Sequence, residues 1–168
     1  MVNSVGKKCS EVDLAYIAGL IDADGAIMAP IEKHLEKKYK FRIRVIVKLT
    51  QKKSDLLEWV GSKLNVGRIN QNRRTFDLRI RDQQDVKQVL LKLKPFIKEK
   101  EKQLNIALKI LDIKIDSKSK LIKVARLADI LSGYNIRSPG RRVNYTSKIQ
   151  EYFSSNDWFL VVPATKMR

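Results

Sequence analysis

The 168-residue chain carries 35 Lys and Arg against 18 Asp and Glu, a formal charge of +17, and 43% of its residues are hydrophobic. That length holds one compact domain with a core, the apolar share exceeds that of a disordered basic tail, and a single cysteine, Cys9, excludes an internal disulfide and fits a reducing compartment. The longest apolar run, Leu14–Ile21, is far short of a membrane span, and Met1–Ser10 is polar and basic, so the expectation is an intracellular protein with no membrane contact. Such a charge on a foldable domain points first to nucleic acid, then to acidic lipid or an acidic protein.

In chain order, Ser10-Glu-Val-Asp13 reads as a capping box opening a helix to about Asp22. A strand from about Ala26 to Glu32 follows, interrupted by Pro30, which lacks the N–H a ladder needs. Residues 39–50 alternate as a second strand, and Leu56, Leu57, Val60 and Leu64 mark a helix near 54–64. Arg68–Asn72 and Thr75–Arg81 form a second hairpin turning at Arg73-Arg74. Val86, Val89, Leu90 and Leu93 predict a helix at about 83–93, stopped before Pro95. Lys98–Ile113 carries Leu104, Ala107, Leu108 and Leu111 at helical spacing, and 119–131 predicts a further helix. Ser132–Arg142 reads as a loop, 146–153 as a last short helix, and Trp158–Pro163 as an apolar tail. No internal repeat or linker divides the chain. The expected fold is one α+β domain over 1–168, with a core at about 10–113 and a C-terminal helical extension over about 114–168.

The charge is unevenly spread. Residues 33–53 carry nine Lys or Arg and one acid, Glu36. Within the strand there, Tyr39, Phe41, Ile43, Val45, Val47 and Leu49 share one face, and Lys40, Arg42, Arg44, Ile46, Lys48 and Thr50 share the other. In the second hairpin Arg68, Asn70 and Asn72 lie on one side of their strand, and Thr75, Asp77, Arg79 and Arg81 lie opposite Phe76, Leu78 and Ile80. Arg and Asn are the side chains that read guanine and adenine edges bidentately in the major groove. Two such hairpins suit a DNA-reading sheet, although one alternating strand alone is equally an ordinary solvated surface.

One segment narrows the reading. Ile17-Ala-Gly-Leu-Ile-Asp-Ala-Asp-Gly25 sits at the end of the first helix and leads into a hairpin. It differs at one position from the signature of the LAGLIDADG homing endonucleases, and the chain resembles their single-motif branch. Thr50-Gln51 and Pro95-Phe-Ile-Lys-Glu-Lys100-Glu-Lys-Gln103 extend the resemblance to roughly residues 10–113. The implied fold is an αββαββα core with an antiparallel DNA-binding sheet and extra C-terminal helices. Ala15, Ala18, Gly19 and Asp22 fall at i, i+3, i+4 and i+7, a stripe of small side chains on one helical face. Small residues let helix backbones approach closely, and the resemblance implies that this helix pairs with its copy in a homodimer. One motif per chain and two strands per duplex require two chains, and two-fold symmetry then requires a roughly palindromic target. A ten-residue strand of roughly 33 Å follows about ten base pairs, so two chains would read about twenty.

The resemblance also assigns roles. It makes Asp24 the metal-binding catalytic acid, with Ala23 adding its backbone carbonyl, Gln51 ordering water and Lys100 stabilising charge at the phosphate. Asp22 becomes a structural acid at the paired helix ends. The implied cofactor is Mg²⁺, which takes one or two carboxylates, then waters and phosphate oxygens. Met28, Pro30, Glu32 and His34 are DNA-facing by resemblance alone, whereas Arg42, Arg44, Lys48, Asn70, Asn72, Asp77 and Arg79 are selected by alternation as well. Lys40 and Arg68 lie on the same polar faces, and Arg137, Arg141 and Arg142 are candidate phosphate contacts. Four residues after the glutamine, where the family commonly has a basic residue, this chain has Asp55, leaving Lys52 or Lys53 as substitutes. The expected activity is a staggered double-strand break in double-stranded DNA, made by an intron-encoded, metal-dependent hydrolase in an organelle, cytoplasm or nucleoid. The alternatives are an RNA-splicing maturase bound to intron RNA and a non-cleaving DNA-binding protein.

Overall fold

The computed structural model describes residues 5–6, 9–135 and 145–157. Helix α1 spans Glu11–Asp24, and its capping box is formed: the Ser10 hydroxyl accepts from the Asp13 N–H at 3.1 Å and Asp13 accepts from the Ser10 N–H at 3.0 Å. The expected first strand divides at Pro30 into β1 (Gly25–Met28) and β2 (Ile31–Lys33). Then come β3 (Phe41–Ile43), β4 (Ile46–Gln51), α2 (Asp55–Leu64), β5 (Arg68–Asn72), β6 (Thr75–Ile80), α3 (Gln83–Leu93), α4 (Glu101–Asp112), α5 (Lys118–Tyr134) and α6 (Tyr145–Asp157). The turn at Arg73-Arg74 falls where expected, with Arg73 at a φ of 54°.

Four antiparallel strands form one sheet in the order β1-β4-β6-β5, and β2-β3 form a separate two-stranded ribbon. Residues 39–50 are therefore not one strand. The ladder breaks at Arg44-Val45, and the Gln83 side chain fills the gap: its Oε1 accepts from the Val45 N–H at 2.9 Å, and its Nε2 donates to the Val45 carbonyl at 2.9 Å and the Arg81 carbonyl at 2.8 Å. A side-chain amide thereby satisfies backbone groups that could not be left bare in a core. Val45 itself is fully buried.

The core lies between one face of the four-stranded sheet and the helices. Ile17 and Ile21 of α1 pack with Ile27, Val47, Leu49, Leu78 and Ile80 of the sheet. Leu57, Val60 and Leu64 of α2, Val89 and Leu93 of α3, and Leu104 and Ala107 of α4 complete it. A second cluster of Leu121, Ala125 and Ile149, joined by Phe153 of α6, ties α5 and α6 to Tyr39 and Phe41, bracing the ribbon. The opposite face of the sheet carries the polar side chains. Among the described residues no helix is long and apolar enough to cross a membrane.

Candidate active site and nucleic-acid interface

The motif closes α1 and places its acids at the exposed end of that helix. Asp24 and Ala23 are exposed. Gln51, the last residue of β4, donates from Nε2 to Asp24 Oδ2 at 2.9 Å. Asp22 turns the other way, into its own chain. Its Oδ2 accepts from the Lys98 N–H at 2.7 Å and the Glu99 N–H at 3.2 Å, and its Oδ1 from the Lys100 N–H at 3.0 Å. A carboxylate accepting several backbone N–H groups ahead of a helix is a strong anchor, and this one fixes the turn before α4. The Lys100 ammonium in turn donates to the Asp22 carbonyl. Asp22, Asp24, Gln51 and Lys100, far apart in sequence, thus meet at the C-terminal end of α1.

The small-residue stripe needs correction. Ala18 is fully buried in the core of its own chain and cannot serve a partner helix. At 100° per residue Ala18 sits a full quarter-turn from Gly19, while Val12, Ala15 and Tyr16 fall within about 60° of it. Ala15 and Gly19 are exposed, as are Val12 at 79% and Tyr16 at 53%. A Cβ on Gly19 would meet nothing within 4 Å in this chain. Asp22, expected as a structural acid at the helix end, makes its contacts within its own chain, to the turn before α4.

On the polar sheet face the register assembles two rows. Arg68, Arg79 and Lys48 lie side by side across β5, β6 and β4, and Asn70, Asp77 and Thr50 form the row beside them. Arg68, Asn70 and Asn72 are exposed. Asp77 is corrected: its side chain is 0% exposed and cannot contact DNA directly. It accepts from Thr50 Oγ1 at 2.7 Å and from Arg79 Nη2 at 2.7 Å, with Lys48 Nζ at 3.1 Å. Burial alone would raise its pKa, yet the bonds from Thr50, Arg79 and Lys48 prevail and lower it from 3.8 to about 2. A depressed carboxyl adds stability that is fully present above 3.8 and lost as pH falls through about 2, here about 2 kcal/mol. Acid titration followed by circular dichroism should therefore show wild type losing stability over that interval more steeply than Asp77→Asn.

On the ribbon Glu32 and Arg42 face each other across β2 and β3, and Arg42 Nε donates to Glu32 Oε2 at 3.1 Å. That guanidinium holds the Glu32 carboxyl below its usual range. Lys40 is a second correction of position. It precedes β3 at a φ of 59°, and its Nζ donates to the Leu35 carbonyl at 2.7 Å, so it does not continue the polar strand face. Met28 ends β1, Pro30 marks the break, and His34 lies in the following loop with its N–H on the Lys40 carbonyl at 2.7 Å. Asp55 opens α2 on the surface, with Lys52 and Lys53 exposed just before it. Arg137, Arg141 and Arg142, and the 158–163 tail, lie outside the described residues. A polar cleft of about 1000 Å³ runs off the sheet, lined among others by Arg44, Arg68, Asn70, Arg79 and Arg81. Arg81, which shares the parity and charge of Arg79, adds a further cation to this lining.

A sequence profile of the LAGLIDADG endonuclease family matches residues 17–114, and the chain belongs to that family. It is thus a DNA endonuclease by family, with the 17–25 motif, Gln51 and Lys100 inside the matched span. Its similarity to DNA endonuclease I-CreI of Chlamydomonas reinhardtii is 28% identity over 127 residues, covering 73% of this chain and 78% of that protein. The fold superposes on the homing endonuclease I-CvuI, solved in complex with its target, with a TM-score of 0.80 at 23% identity over 86% of this chain and 94% of that one. The archaeal intron-encoded homing endonuclease I-Vdi141I, complexed with DNA, gives a TM-score of 0.75 at 20% identity, covering 88% and 98%.

Proposed function

We propose that two copies of this chain form a homodimer that binds a long pseudo-palindromic duplex and hydrolyses one phosphodiester on each strand, leaving a staggered break, with Mg²⁺ as the metal. The observation that carries this reading is the meeting of Asp24, Gln51 and Lys100 at one helix end beside a sheet whose outer face is cationic. The exposed face of α1, with Gly19 at its centre, supports the pairing.

The donors fit the ion. The Asp24 carboxylate and the Ala23 carbonyl are hard oxygen ligands, and no group of three or more His, Cys, Asp and Glu among the described residues closes a site around them. An open, oxygen-rich position suits a cation shared with water and substrate phosphate. When bound, the ion supplies Lewis-acid stabilisation of charge at the phosphate. The protein's own contribution is placement. Gln51 fixes one Asp24 oxygen, and its amide oxygen would be left to orient the attacking water. Lys100, tethered at the Asp22 carbonyl, holds a positive charge where the phosphate gains negative charge. The Arg68–Arg79–Lys48 row and the exposed Asn70 and Asn72 present donors to base edges.

Incubating the protein with Mg²⁺ and a duplex library randomised over about thirty pairs, then sequencing the cut ends, tests this reading. The expected product is one two-fold symmetric motif of about twenty pairs with ends offset between strands. Cutting without sequence preference, or no cutting, overturns it. Because many cations face the duplex, affinity should fall steeply with added salt.

A further inference from the structure

We infer that Asp77, which cannot touch DNA, decides what Lys48 and Arg79 read, and is a positioning residue for specificity; the inference rests on the proposed DNA-reading role of the sheet. Three cations, Arg68, Arg79 and Lys48, stand directly opposite one another across adjacent strands. Like charges so placed repel and swing apart into solvent. Asp77, in the neighbouring row, is the counter-charge that holds two of them: Arg79 through Nη2 at 2.7 Å and Lys48 through Nζ at 3.1 Å. Thr50 Oγ1, donating at 2.7 Å from the paired position on β4, fixes the carboxylate. The Arg79 Nε is buried with no hydrogen-bond partner among the described residues, so the guanidinium is held to the carboxylate through Nη2. Lys48 and Arg79 keep side-chain exposures of 26% and 35%, enough to meet a base edge, while Asp77 at 0% is sealed below them. The carboxylate therefore limits each cation to one approach. Glu32, 35% exposed opposite Arg42, is a different case, since it can itself accept from a cytosine amino group.

Removing Asp77 should separate affinity from specificity. In Asp77→Asn, Lys48 and Arg79 are released and the face gains one net positive charge. Binding to an unrelated duplex should then tighten, with a steeper salt dependence. Preference at the base pairs facing Lys48 and Arg79 should drop by roughly tenfold, with other positions unchanged. A purely structural role would weaken binding to all duplexes alike. The measurement is selection from a randomised duplex library alongside salt-dependent binding to an unrelated duplex. A second variant, Asp77→Asn combined with Lys48→Met, keeps the net charge of the cluster and asks the same question of Arg79 alone. In Asp77→Asn, altered preference at those pairs with tighter nonspecific binding supports the inference, and in the charge-conserving variant altered preference at the Arg79 pair without tighter nonspecific binding does so; an unchanged preference at the Arg79 pair in either folded variant overturns it. If wild type itself selects no sequence, the DNA-reading role of the sheet fails and the inference falls with it.

Discussion

Replacing Asp24 with Asn should abolish cleavage while leaving DNA binding intact. Asparagine has the same shape, so the Gln51 contact at 2.9 Å can re-form with its carbonyl oxygen and α1 still ends at the same place. What disappears is the anionic oxygen donor at the exposed helix end. Lewis-acid stabilisation of phosphate charge is worth several kcal/mol, and at 1.36 kcal/mol per tenfold its loss lowers the rate by roughly 10³-fold or more. Removing a negative charge beside the bound phosphate should, if anything, tighten binding. Single-turnover cleavage and equilibrium binding on the same duplex provide the comparison. Cleavage within about tenfold of wild type would remove Asp24 from the chemistry. Loss of binding together with cleavage would assign it a structural role instead.

The second large effect is expected at Gly19, where stability and activity should move in opposite directions. Gly19 lies inside α1 and is exposed, and a side chain there meets nothing in its own chain. Gly19→Leu should therefore stabilise the isolated chain by about 0.8 kcal/mol through helix propensity alone. In the proposed homodimer the same side chain enters the helix pair from both copies. Overpacking costs about 1–3 kcal/mol per insertion, and two-fold symmetry counts it twice. Dimer dissociation should rise roughly 30-fold or more, and double-strand cleavage at nanomolar protein should be lost. Thermal unfolding together with concentration-dependent cleavage separates these effects. A variant that melts higher and still cuts at full rate would show that α1 does not pair through Gly19.

Much of this site was legible in the sequence because its determinants are local. The nine residues 17–25 carry the motif, Pro30 breaks a ladder by lacking an N–H, and a two-residue connection at Arg73-Arg74 sets the register that aligns Arg68 with Arg79. Alternation reports which face a side chain occupies, not how deep it sits. It placed Asp77 correctly beside Arg79 but missed that two cations and a threonine close over it. Helical spacing has the same weakness: i, i+3, i+4 and i+7 span a face wide enough to join exposed Gly19 with buried Ala18. Contacts distant in sequence were not readable from period or composition. Asp22 meets the amides of Lys98, Glu99 and Lys100 across more than seventy residues, and Gln83 bridges the strand break at Val45 across thirty-eight. Lys40 misled because an alternating pattern ran past the true start of β3 into a left-handed turn.

One motif per chain implies that a pair of chains is the working unit. Sedimentation velocity of the Asp24→Asn chain on the duplex selected from the random library tests it most directly, because the bound DNA stays whole. The expected result is a single complex of two chains per duplex at saturation, forming without a stable one-chain intermediate. A complex that saturates at one chain per duplex, with wild type still cutting both strands, would contradict it.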